Sequence, residues 1–224
     1  MDQALIALGS QLTRQNSTAK EWICLLGCIS SLAVSFFYRQ YNDIAVSLTF
    51  GIIVLVAVLD WKQRTVWPLL LIIGAAKLLA IPVELILTQL SGEVVYGPLM
   101  FYLSSALIDV AMLLCITAYH KDSTVLGWFK IDNPKPFPQT QLMSAVLMTS
   151  AFYAFAQATE WLVYFLDMAN GGKLPFLFGM KLPLFYAFQN EVKLALKLAF
   201  DLLLWSLLLD ADRWSVLRRL QRRA

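Results

Sequence analysis

The chain has 224 residues, 59% of them hydrophobic and only 15% charged, with a formal net charge of +3 and a mean hydropathy of +0.64. A soluble domain usually carries about 25% charge, so this balance argues against a water-soluble bundle. A single histidine, three cysteines and no CxxC pair exclude the usual zinc-ligand sets and any disulfide framework.

The apolar residues fall into six blocks, approximately 22–38, 43–60, 67–90, 97–119, 141–166 and 190–210. Each is near the ~20 residues a helix needs to cross a bilayer. In hydrocarbon every backbone polar group must find its partner within the segment, so helices are the expected spanning elements. The sequence therefore predicts an all-α membrane protein, a bundle of six transmembrane helices. Residues 22–210 form its single transmembrane domain, between an amphipathic N-terminal segment, 1–21, and a basic amphipathic tail, 211–224.

Residues 1–21 are too polar for a typical signal-peptide start, and no small-residue cleavage site follows the first block, which reads as a retained span. Thr18-Ala19-Lys20-Glu21 has the T-x-x-E form of a capping box and predicts a helix start just before Trp22. Cys24 and Cys28 lie four apart in the first span. With Cys115 in the fourth, they read as small core residues. Asp43 is placed to cap the second span. Pro68 and Pro98 fall near the first turns of the third and fourth, where proline is tolerated.

Lysines and arginines are retained on the cytoplasmic side. With both ends inside, twelve of the 18 lie in inner segments and three, Arg39, Lys173 and Lys181, in outer ones. The other three, Lys77, Lys193 and Lys197, lie within the spans. Both termini are therefore expected in the cytoplasm.

The inner loop near 120–140 carries Pro134, Pro136 and Pro138 and should be extended. Between spans five and six, MANGGKLPFLFGMKLPLFYAFQ repeats KLPFLFGM as KLPLFYAF. Its prolines argue against a straight crossing, and it reads as an apolar re-entrant or interfacial segment on the outer face. In the tail, Arg213, Trp214, Arg218, Arg219, Arg222 and Arg223 form a membrane-surface anchor on anionic lipid headgroups, each arginine there gaining about 1 kcal/mol.

Four spans carry polar stripes at helical spacing. Lys77 and Glu84 are seven apart in the third, with Pro82 between them as an expected kink, and Tyr102, Ser105 and Asp109 share a face of the fourth. Tyr153, Gln157, Glu160, Tyr164 and Asp167 run down the fifth. Asn190, Lys193, Lys197 and Asp201 run down the sixth. At about 1.5 Å rise per residue, Lys77, Asp109 and Asp201 fall near mid-membrane, and Glu84, Glu160 and Lys197 higher. A charge at the bilayer centre costs roughly 2.5–3.5 kcal/mol on insertion scales, so these residues must face one another, water or a partner.

No nucleophile–base set, G-x-S-x-G, Walker A or Rossmann fingerprint occurs, and His120 stands alone, so the residues point away from an enzyme and imply no metal and no cofactor. The expected function is transport or permeation of protons or a small charged solute through a polar cavity, by this protein or by a system of which it is a subunit. Its lining is Lys77, Glu84, Asp109, Gln157, Glu160, Lys193, Lys197 and Asp201. The alternative is a non-catalytic interaction or scaffold subunit whose buried charges form an assembly network. Expected partners are the lipid bilayer, anionic headgroups at the tail, and a membrane protein or a second copy of the chain, without nucleic acid. The short loops and basic tail suit a bacterial inner membrane.

Overall fold

In a computed structural model, residues 2–37, 42–59, 66–93, 97–121, 138–169, 171 and 184–209 are described. They form seven helices and no strand: α1 Asp2–Phe36, α2 Asn42–Leu59, α3 Trp67–Glu93, α4 Gly97–Lys121, α5 Pro138–Ala169, the single turn α6 Leu184–Ala187, and α7 Gln189–Ser206. Four contain stretches long and apolar enough to cross a membrane: Ala19–Phe36, Trp67–Leu87, Gly97–Tyr119 and Gln139–Ala169. Only 18% to 33% of each stretch is buried inside the molecule. The outward faces carry large apolar side chains, among them Leu25, Ile29, Leu78, Leu107, Leu114, Phe152 and Phe155, the composition of surfaces that contact lipid rather than water. These helices mark an integral membrane protein.

The other two full helices are shorter or more polar. Within α2, the apolar stretch among the described side chains is Ser47–Leu59. Helix α7 has 18 residues and carries Glu191, Lys193, Lys197 and Asp201. Eighteen residues extend about 27 Å, just short of the ~30 Å of a hydrocarbon core.

Local expectations meet mixed outcomes. Pro68 and Pro98 do sit in the first turns of α3 and α4. Helix α3 continues through Pro82 to Glu93. The capping box does not start a helix: α1 is already under way at Asp2, so Thr18–Glu21 lies in mid-helix. No proline interrupts residues 2–36, and a continuous helix satisfies the amide groups a cap would otherwise serve. Asp43 falls inside the first turn of α2, which begins at Asn42. Cys24 is buried, whereas Cys115 is exposed on the outer face of α4 and is not a core residue. Pro138, expected in an extended loop, is the first residue of α5, while Pro134 and Pro136, the tail anchor with its Arg213, Trp214, Arg218, Arg219, Arg222 and Arg223, and most of the expected outer segment lie outside the described residues.

The helices close into a ring. α2 packs on α3, α3 on α4, α4 on α5, α5 on α7, and α7 on α2. α1 leans on α7 and α2, outside this ring. One end of the interior is an apolar core that includes Ile52, Val56, Leu69, Ile73, Met112, Ile116, Met143, Leu147, Leu204 and Leu208. The last turn of α7 tightens, with the amides of Leu207, Leu208 and Leu209 donating to carbonyls three residues back.

The α1–α7 contact depends on a missing side chain. A Cβ at Gly27 would lie 2.3 Å from Cε2 of Trp205. The indole therefore rests directly on the α1 backbone, and its Nε1 donates to Ser31 Oγ, 3.0 Å away and one turn along. Small residues at four-residue spacing permit such close approach between membrane helices. Gly27→Ala should destabilise the protein by about 1–3 kcal/mol through overpacking. Gly51→Ala, where nothing lies within 4 Å of the added carbon, should be neutral or stabilising by up to ~1 kcal/mol. Thermal unfolding of the purified variants checks this; equal melting temperatures would show that α1 does not pack on Trp205.

Candidate functional site

The other end of the ring interior is open space, a cavity of about 600 Å³. All five ring helices reach it. α2 contributes Thr49 and Phe50, α3 contributes Lys77, and α5 contributes Ser150. From α4 come Phe101, Tyr102, Ser105 and Asp109, one face of that helix at intervals of three and four. α7 lends its whole polar stripe, Asn190, Lys193, Lys197 and Asp201, with Gln189 and Phe200 beside it.

Asp201 lies deepest among these charges, with no exposed surface. Its Oδ1 accepts a hydrogen bond from Thr49 Oγ1 at 2.9 Å, and its Oδ2 pairs with Lys197 Nζ at 2.5 Å. Lys197 is one turn earlier on the same helix and keeps 18% of its side chain exposed toward the cavity. Asp109 is 7% exposed, and its Oδ2 accepts from Ser150 Oγ at 2.6 Å. Lys77 and Lys193 stand near enough to act electrostatically on its carboxylate.

The ammonium groups also sit over aromatic faces. Lys77 Nζ lies 5.7 Å from the centroid of the Phe200 ring. Lys193 Nζ lies 5.3 Å from that of Phe101 and 5.1 Å from that of Tyr102. A ring's negative face attracts a cation by roughly 0.5–2 kcal/mol, more where water is excluded. Toward the N-terminal end of α7, Tyr102 Oη donates to Gln189 Oε1 at 2.7 Å.

Five of the eight expected residues thus share one cavity: Lys77, Asp109, Lys193, Lys197 and Asp201. Gln157 is fully buried behind the wall, its Nε2 donating to Gln189 Oε1 at 3.4 Å. Glu160 is turned elsewhere: its Oε1 accepts the backbone N–H of Phe185 in α6 at 2.8 Å. Tyr153 Oη donates to the carbonyl of the same residue at 2.5 Å. A four-residue helix leaves its own amides unmatched, and α5 supplies these partners from its stripe. The upper part of that stripe therefore holds the α6 segment, and Ser150, one step below Tyr153, reaches the cavity instead. The side chain of Glu84 lies outside the described residues.

Thr49, Ser150, Gln189 and the phenylalanines of the wall were not legible in the sequence. A threonine or serine in an apolar helix commonly bonds its own preceding carbonyl, as Thr117 and Thr149 do here, so residue type alone does not mark the two that reach across. Among the described residues, no group of three or more His, Cys, Asp or Glu could hold a metal ion.

The Thr49–Asp201–Lys197 cluster makes a quantitative demand. Removing one partner of a buried pair leaves an uncompensated charge, at a cost of about 3–5 kcal/mol, whereas replacing both by apolar groups is often neutral. Lys197→Met should therefore destabilise more than Lys197→Met combined with Asp201→Leu. Thr49→Val should cost about 1–3 kcal/mol. Unfolding of the detergent-solubilised variants measures all three, and a double variant weaker than Lys197→Met alone would contradict the pairing.

Searches against family models, curated proteins and solved structures find no match to this chain.

Proposed function

We propose that this chain is a small membrane transport or permeation protein, or a subunit of one, whose intramembrane cavity passes protons or a small charged solute. One observation carries the reading: three lysines and two aspartates from α3, α4 and α7 converge on a single space of about 600 Å³ within a ring of helices. Ionisable groups at membrane depth are costly and mark ion or solute pathways.

In this reading α2 and α7 also cross, giving six spans with both termini cytoplasmic, in a bacterial inner membrane. The low hydropathy of α7 is compatible with a crossing, since Lys193, Lys197 and Asp201 line the ring interior rather than the lipid face and Glu191 lies in the first turn. Asp109 and Asp201 act as proton or cation acceptors, and Lys77 and Lys197 as their counter-charges or as anion contacts. The tail rests on anionic lipid, and the chain works alone, with a second copy or beside a membrane partner.

The assembly alternative draws on one observation, the closure of Thr49, Asp201 and Lys197 on themselves. Hydration separates the two readings. In protein lacking Cys24, Cys28 and Cys115, single cysteines at 105, 109, 197 and 201 should react with a small water-soluble thiol reagent. Cysteines at 157 and 160, which lie off the cavity, should not. In proteoliposomes carrying a pH-sensitive dye or a trapped solute, Asp109→Asn should lower flux by tenfold or more while the protein stays folded. Four unreactive cavity positions in folded protein would overturn transport and leave the assembly network.

A further inference from the structure

A path for protons or bare ions needs water and polar groups along its length, and the wall of this cavity is not polar throughout. Each of the five ring helices lends it an apolar side chain as well as a polar one: Phe50 from α2, Ile81 from α3, Phe101 from α4, Val146 from α5, and Leu196 and Phe200 from α7. On α7 the two kinds form neighbouring stripes. Leu196 and Phe200 are four apart, and so are Lys193, Lys197 and Asp201. Apolar surface held against water is unfavourable in proportion to its area. A solute with an apolar body removes that cost, whereas a bare ion does not.

Size points the same way. The cavity measures about 600 Å³. A water molecule takes ~30 Å³ of liquid, so a bare ion of similar size would fill about a twentieth of it. Cavities of ~300–1,000 Å³ suit organic ligands held by apolar walls and a few placed polar groups. Along α7 the lining runs from Gln189 to Asp201, a rise of about 18 Å, so the space is longer than it is wide.

We infer that the cavity takes a small amphipathic organic ion, its apolar body against Phe50, Phe101 and Phe200 and its charged head among Lys77, Asp109 and Lys193. This rests on the cavity being the hydrated solute site proposed above, and it names the class of solute. Ammonium and carboxylate groups both line the space, so a head of either sign meets an opposite group there. Selection lies in the body of the solute.

Protection of a cavity cysteine tests this in the purified full chain. Cys24, Cys28 and Cys115 are replaced, Ser105→Cys is introduced, and its reaction with the water-soluble thiol reagent is followed as solute is added. Two series serve as probes: acetate, butyrate and hexanoate, and ethylammonium, butylammonium and hexylammonium. In one series or both, the concentration that halves the rate should fall with chain length, by up to about fourfold per added methylene. Phe50→Ala or Ile81→Ala should raise it about tenfold for the six-carbon member and leave the two-carbon member unchanged. A misfolded variant would lose both. Protection that does not change with chain length in either series, at a cysteine that reacts, overturns the organic solute and leaves a hydrated path for protons or bare ions. So does a cysteine that reacts and that no probe protects. An unreactive cysteine at 105, 109, 197 and 201 alike, in folded protein, overturns the transport reading and the solute class with it.

Discussion

A carboxylate with no exposed surface sits in the middle of α7, and much of the bundle is arranged to tolerate it. Asp201 is held by Lys197 from its own helix and by Thr49 from α2. An isolated carboxylate in an apolar interior is costly enough that it must be paired or must take up a proton. Pairing fixes the rotation of α7, because Asp201 and Lys197 occupy one stripe and only one orientation points both at α2 and the cavity. It also fixes how close α2 must come, since a hydroxyl bond of 2.9 Å allows little slack.

With α7 so oriented, its other faces are committed. Leu204, Leu207 and Leu208 turn into the apolar core. Trp205 turns toward α1, where the bare backbone at Gly27 receives it and Ser31 accepts its N–H. The single helix therefore carries the floor of the cavity, the polar wall above it and the docking face for α1. Mixed chemistry within eighteen residues follows from that position: each face meets a different neighbour.

The fifth helix divides its polar stripe between two tasks. Ser150 serves the cavity by bonding Asp109, whereas Tyr153 and Glu160 bind both backbone groups of Phe185. The short α6 turn is thus anchored to α5 by side chains, and the chain enters α7 at Gln189 already aligned with Tyr102 and Gln157. Entry to α7 and the end of the cavity lined by Gln189 and Asn190 are consequently one construction, built from three helices.

Helical periodicity sufficed for a good deal of this. Hydropathy gave the apolar helices, and spacings of three and four placed Tyr102, Ser105 and Asp109 on one face and Lys193, Lys197 and Asp201 on another, because an α-helix repeats every 3.6 residues. Those faces do meet in the cavity. What a helix period cannot state is which stripe meets which, since that depends on helix rotation and closure of the ring through contacts distant in sequence. Thr49 and Asp201, 152 positions apart, and Ser31 and Trp205, 174 apart, were paired only by packing. The same limit misdirected Glu160, whose stripe was read correctly as polar but whose partner is a backbone amide of α6. Of the six blocks read as spans, four are helices long and apolar enough to cross a membrane. The sequence by itself determined an apolar helical protein with charges gathered on helix faces, because both properties are local. The tertiary structure alone decided that five helices close around a space and that three lysines and two aspartates share it, because pairing across helices is set by shape and distance.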